Sequence, residues 1–217
     1  MEKTKVLFDV QIFQNQKFGG ISRYFAEIMA GIKNDPDFEN ALHKVYTDNK
    51  HLQANYFSKF SSFIGLPYFR GKARIHQLLI NQQQQKINTL LKGGKYNVFH
   101  PTYYDTGFLK YLPKNKPFVL TVHDMIHELQ LDKAGNIHKE TTDKQVLIPK
   151  AAHIIAVSEN TKQDILNLYP KIQASKISVI YHGNSLKNSN LIKNNLGYRY
   201  FLYVGLRNSY KNFDWLI

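Results

Sequence analysis

The sequence predicts an α/β fold built on a doubly wound, mainly parallel sheet. Short apolar runs near residues 5, 42, 97, 118, 153 and 177 alternate with stretches of helical periodicity. The run Phe118-Val119-Leu120-Thr121-Val122 is β-branched or aromatic almost throughout, as a strand buried on both faces should be. Four titratable residues, His123, Asp124, His127 and Glu128, follow it directly. In open α/β sheets ligands sit beyond the carboxyl ends of the strands, so this cluster is a candidate site.

The elements follow in order. Lys5 to Val10 is the opening strand, and Phe18-Gly19-Gly20 forms the loop behind it. Ile21, Tyr24, Phe25, Ile28, Met29 and Ile32 then fall on one face of a helix that Asn34-Asp35-Pro36 ends. Leu42 to Thr47 reads as the second strand. Residues 49–70, rich in aromatics but broken by Gly65 and Pro67, read as short helices or a loop flap. Lys72 to Leu91 is a long helix with Ile75, Leu78, Leu79, Ile87, Leu90 and Leu91 facing in, stopped by Gly93-Gly94. Asn97 to His100 is a strand, and the strand at Phe118 comes next. Leu131 to Asn136 is a loop leading to a helix that ends near Lys150. His153 to Val157 is a strand, and Ser158 caps the helix after it, with Glu159 in the first turn. Lys176 to Tyr181 is the last strand of this series. A polar, Asn-rich stretch then reads as a linker, and Phe201-Leu202-Tyr203-Val204-Gly205 restarts the strand signal before a helix from Asn212. That closing unit cannot bury a core alone, which suggests the N-terminal portion of a longer protein.

Composition narrows the function. The 217 residues are 43% hydrophobic, with 14 Tyr and 14 Phe, enough for a packed interior, and contain no apolar run of membrane-spanning length. Zero cysteines remove disulfides and thiolate chemistry. No signal-peptide pattern precedes the first strand, so the expected location is cytoplasmic, with a peripheral position at the inner membrane face as an extension of it. Against 16 acidic residues stand 29 basic ones, a net +13. Such a surface attracts nucleic acid, anionic lipid or phosphorylated substrates, or is simply solvated. The lysines are scattered and carry no nucleic-acid motif, so nucleic acid is not an expected partner.

Several site types fail on their motifs. His123-Asp124-Met125-Ile126-His127 has the spacing of two zinc-binding histidines, but it leaves a strand and carries Asp where that motif needs Glu, so no metal is expected. There is no phosphate loop ending in Gly-Lys, and Gly19-Gly20 lacks the third glycine and acidic partner of a dinucleotide site. What remains is a diglycine ahead of a helix N-terminus, which suits either a tight turn or the close approach of an anionic ligand.

Five segments then occur in register: Phe18-Gly19-Gly20-Ile21-Ser22-Arg23-Tyr24, Val119 to Asp124, Ile154 to Thr161, Ile180-Tyr181-His182-Gly183, and Leu202 to Arg207 with Lys211-Asn212. Together they resemble the GT-B glycosyltransferases of family 4, the retaining group 1 enzymes that include many bacterial mannosyltransferases. The resemblance implies two Rossmann-like domains across a cleft, acceptor on the first and nucleotide-sugar donor on the second. Residues 1–185 would be the acceptor-binding domain, 186–198 a linker and 199–217 the start of the donor domain.

By the same resemblance, Gly19 and Gly20 match the glycine loop near donor diphosphate and acceptor, with Ser22, Arg23 and Asp124 as further candidate substrate contacts. His123 matches the histidine beside the transferred sugar, and Arg207 and Lys211 match the basic pair that neutralises the departing diphosphate. Two cations and a helix N-terminus can stabilise that leaving group without a metal or other cofactor. Retention by same-face attack requires no protein nucleophile, so His123 would hydrogen-bond a sugar hydroxyl. The expected partners are a UDP- or GDP-linked sugar, a glycan or lipid-linked acceptor and an anionic membrane surface. The family's acidic donor-holding motif is not found in residues 1–217, so this chain alone is expected to be inactive. The competing expectation is a non-catalytic sugar- or anion-binding module.

Overall fold

A computed structural model describes residues 2–41, 47–55, 70–129, 137–184, 197–204 and 213–215. Two compact units divide the chain at Gly183. In the first, β1 (Thr4–Phe8), β2 (Phe38–Asn40) and β3 (Val98–His100) form a parallel sheet in the order β2-β1-β3. A second parallel sheet holds β4 (Val119–Val122), β5 (His153–Ala156) and β6 (Ile177–Val179) in that order. A parallel bridge between Phe99 and Phe118 joins the two, so every strand ends on the same carboxyl edge. The predicted parallel α/β architecture is thus present.

Helices supply the crossovers: α1 (Gln11–Asn15), α2 (Gly20–Asn34), α3 (Lys50–Asn55), α4 (Lys72–Gly93), α5 (Ile126–Leu129), α6 (Lys139–Lys150) and α7 (Glu159–Leu168). The predicted apolar stripe of α2 packs as expected, with Phe25, Ala26 and Met29 fully covered. Leu7 and Phe8 of β1 are wholly buried, each stabilising the fold by roughly 1.5–3 kcal/mol. Alternation along the strands separates two packing faces. Phe8 and its register partner His100 stack at 5.5 Å and meet Phe25 of α2, whereas Phe99 packs at 4.8 Å on Phe108. Gly94 ends α4 in the left-handed region at φ 61°, where glycine is unstrained. Ser158 caps α7, its Oγ accepting from the Thr161 amide at 3.1 Å.

Three sequence expectations change. The second strand lies at Phe38–Asn40, because those residues pair with Thr4 to Val6; the expected strand from Leu42 falls, but for Thr47, outside the described residues. Ile75 and Leu78, expected to face inward on α4, are exposed; the core contact of that helix is made by its second half, at Ile87 and Leu91. In the second unit, residues 201–204 form no strand, and Phe201, Leu202 and Val204 are exposed. No strand among the described residues offers them a ladder of backbone hydrogen bonds. Residues 205–212, with the expected diphosphate ligands Arg207 and Lys211, lie outside the described residues, and Phe213–Trp215 is a 3₁₀ turn.

Candidate functional site

His123 leaves β4 at the carboxyl edge, and its main chain is held from two sides. Its amide donates to the Tyr104 hydroxyl at 3.1 Å, and its carbonyl accepts from the Thr161 hydroxyl at 3.4 Å. The ring lies edge-on to Tyr24 of α2 at 5.1 Å and 6.2 Å from Phe25. His182, just past β6, stands 5.9 Å from it and 5.0 Å from Tyr24. One helix and the ends of β4 and β6 therefore converge on a single imidazole.

Burial pushes the His123 imidazole down to about 4, with the nearby His182 adding to the shift. It is neutral at pH 7 and offers one donor and one acceptor rather than a charge. Its Nε2 is buried and has no hydrogen-bond partner among the described residues. Leaving such an atom unsatisfied costs about 1–3 kcal/mol, which a ligand hydroxyl would recover.

A second histidine behind it has its Nε2 engaged. His100 Nε2 hydrogen-bonds Thr121 Oγ1 at 2.9 Å, and the Tyr24 hydroxyl reaches the same oxygen at 3.2 Å. Burial, with the adjacent His123, pushes His100 down to about 3. On the far side, Lys144 of α6 is almost wholly buried. Its Nζ donates to Glu128 Oε2 and to the Asp124 carbonyl, both at 2.9 Å, and lies 5.0 Å over the Tyr104 ring. That ion pair fixes α5 against α6 directly behind the His123 loop.

The other predicted residues take distinct places. Gly19 is the N-cap of α2, and a Cβ there would collide with the Gln16 side chain. A Cβ at Gly20 would meet nothing within 4 Å, so packing does not require glycine there. Tyr24, one turn beyond Gly20, touches His123, which places the start of α2 and the end of β4 on one edge. The Ser22 hydroxyl is buried and donates to the Gly19 carbonyl at 3.0 Å, securing the first turn. Arg23 is half-buried in that turn. Asp124 is exposed and caps α5, its Oδ1 accepting from the Ile126 amide at 3.2 Å.

A cavity of about 250 Å³ lies elsewhere, lined by residues that include Asp9, Gln11, Gln84, Asn88 and Asp105. It opens where the strand order reverses between β1 and β3, the usual ligand crevice of such sheets. Burial raises Asp9 to about 6. Yet both its oxygens are occupied: Oδ1 accepts from the Thr102 amide at 2.8 Å and from the Thr102 hydroxyl, and Oδ2 from Gln11 Nε2. Asp9 ties β1 to the end of β3, so His123, whose Nε2 has no hydrogen-bond partner among the described residues, is the better candidate.

The family model described as Glycosyltransferase Family 4 matches residues 18–187, more than three quarters of the chain. The chain belongs to glycosyltransferase family 4. No curated protein matches it. The match starts at the glycine loop and runs past His182, so it takes in every residue that converges on His123. Membership brings the general activity, transfer of a glycosyl group from a sugar donor to an acceptor, and a Rossmann-like domain of the GT-B type. No helix among the described residues is long and apolar enough to cross a membrane.

Tyr24 and His182 are neighbours of His123 that the sequence does not single out. Tyr24 belongs to the apolar stripe of α2, where its hydroxyl one turn past Gly20 is the available clue. His182 stands just past the strand expected to end at Tyr181, the same clue that marks His123, and parallel pairing of β5 with β6 brings it to this edge.

Proposed function

We propose that this domain is the acceptor-binding half of a retaining glycosyltransferase that moves a sugar from a UDP- or GDP-linked donor to a surface-polysaccharide or lipid-linked acceptor. The unpartnered Nε2 of His123, at the carboxyl edge within the family match, carries the reading. A neutral imidazole can bind a sugar hydroxyl without attracting the phosphate charge nearby. The open space at Gly20 and the N-terminus of α2 suit a diphosphate, whose charge grows as the sugar–phosphate bond breaks. Arg207 would take two phosphate oxygens through its planar fork, and Lys211 would act as a point charge. No resident metal or protein nucleophile enters this scheme. Ser22 would contribute by securing the helix start and Asp124 by fixing the loop after His123, with Arg23 in the same first turn as a substrate contact.

The basic surface would favour docking on an anionic membrane face where a lipid-linked acceptor is presented. Residues 1–217 contain no counterpart of the acidic donor-holding motif, so this chain by itself would bind acceptor without turning over donor. The test is a screen of UDP- and GDP-sugars for transfer, with a family donor-binding domain supplied. His123→Ala should lower turnover by about 100-fold with folding intact, the scale of one lost transition-state contact. Unchanged turnover in that variant would remove His123 from the mechanism.

A further inference from the structure

His127, which does not form a zinc motif with His123 in sequence, meets two other metal-ligand types in space. His127 lies on α5, His138 precedes the first turn of α6 and Glu140 lies in it. One ligand atom from each lies within 4.8 Å of the other two, and all three side chains are half-buried. The imidazoles face each other at 4.1 Å between centroids, inclined by 35°.

The surroundings prearrange this cluster. The Tyr103 hydroxyl donates to Glu140 Oε1 at 3.4 Å, orienting the carboxylate and leaving its other oxygen available. The neighbouring cation, Lys139, is engaged with Asp105 and Asp143 and does not neutralise Glu140. The buried Lys144–Glu128 pair holds α5 on α6, so the elements bearing the ligands are already clamped together. A pair of imidazoles with one carboxylate is a donor set for borderline-soft divalent cations, with further coordination positions left for water.

We propose that His127, His138 and Glu140 form a binding site for a divalent cation of the zinc class. The cation would join α5 to the start of α6 beside the His123 loop, through Tyr103 and its neighbour Tyr104, whose hydroxyl receives the His123 amide. The site is independent of the glycosyl-transfer reading.

The whole chain, stripped with a chelator, is titrated with Co²⁺ by visible absorption and with Zn²⁺ against a chromophoric competitor. One equivalent should bind, and His127→Ala, His138→Ala and Glu140→Gln should each weaken binding roughly ten-fold or more. His153→Ala should bind as wild type, since His153 lies on β5, hydrogen-bonded to Ser178. Zinc should raise the melting temperature of the wild type but not of the ligand variants. At one equivalent the imidazole NMR signals of His127 and His138 should shift before those of other histidines, a readout that does not depend on variant folding. Absent binding, equal binding by the ligand variants, or first shifts at other histidines would overturn the proposal.

Discussion

Two polar side chains with buried atoms stand at the carboxyl edge of the same sheet system and meet opposite fates. Asp9, at the end of β1, is enclosed by Thr102 and Gln11 until no oxygen is free. His123, at the end of β4, has its main chain secured on both sides and its ring nitrogen left open. Burial shifts both, Asp9 up to about 6 and His123 down to about 4, so the shift alone does not separate them. Hydrogen-bond satisfaction does. The completed cluster at Asp9 fixes the fold, whereas the open valence at His123 stands past the end of a strand, where such sheets take their ligands.

Substitutions can break that distinction. Lys144→Ala, which strands the Glu128 carboxylate in the interior, should have the largest effect on stability, a loss of about 3–5 kcal/mol in denaturant unfolding. Asp9→Ala should follow at about 2–4 kcal/mol, because the Thr102 amide and hydroxyl lose their acceptor. His123→Ala should cost no more than about 1 kcal/mol, since it removes an unsatisfied atom together with ring packing, while still lowering turnover about 100-fold. Tyr24→Phe, which deletes the bond to Thr121, should cost about 0.5–1.5 kcal/mol. If His123→Ala destabilised as much as Asp9→Ala, the imidazole would be a structural group and the contrast would fail.

Acidification sharpens the same contrast. His100 and His123 have folded values below the ordinary 6.5, so the unfolded chain takes up protons first. Their share of stability is present above pH 6.5 and is lost as the pH falls toward 4. Asp9 acts in reverse: raised from 3.8 to about 6, it is protonated first in the folded state and gains stability over that window as the pH falls. Two histidines outweigh one carboxyl, so unfolding measured from pH 6.5 to 4 should show a net loss. In His123→Ala one histidine opposes one carboxyl, and the slope should flatten between pH 6 and 4.

Much of the frame was legible because it is written locally. The α2 stripe, the Ser158 cap and the apolar runs of β4 and β5 each contain their own signal. β2 did not, since Phe-Glu-Asn is a short polar edge strand defined by its pairing with β1. The same limit divides the site. His123 could be found from its place after a strand, but Tyr24, His100 and His182 reach it from elements far apart in the chain. His127 shows the point most sharply: its sequence neighbour at motif spacing was His123, and its neighbours in space are His138 and Glu140.

The imidazole ¹⁵N signals of His123 and His100 provide the most direct test of the open valence. They would be followed while the chain is titrated with hexoses and with UDP- and GDP-sugars. A response at His123 Nε2, saturable and absent from His100 Nε2 with its existing Thr121 bond, is the expected result. Equal shifts at both rings, or none at His123 with any sugar, would contradict the assignment of His123 as the ligand-facing group.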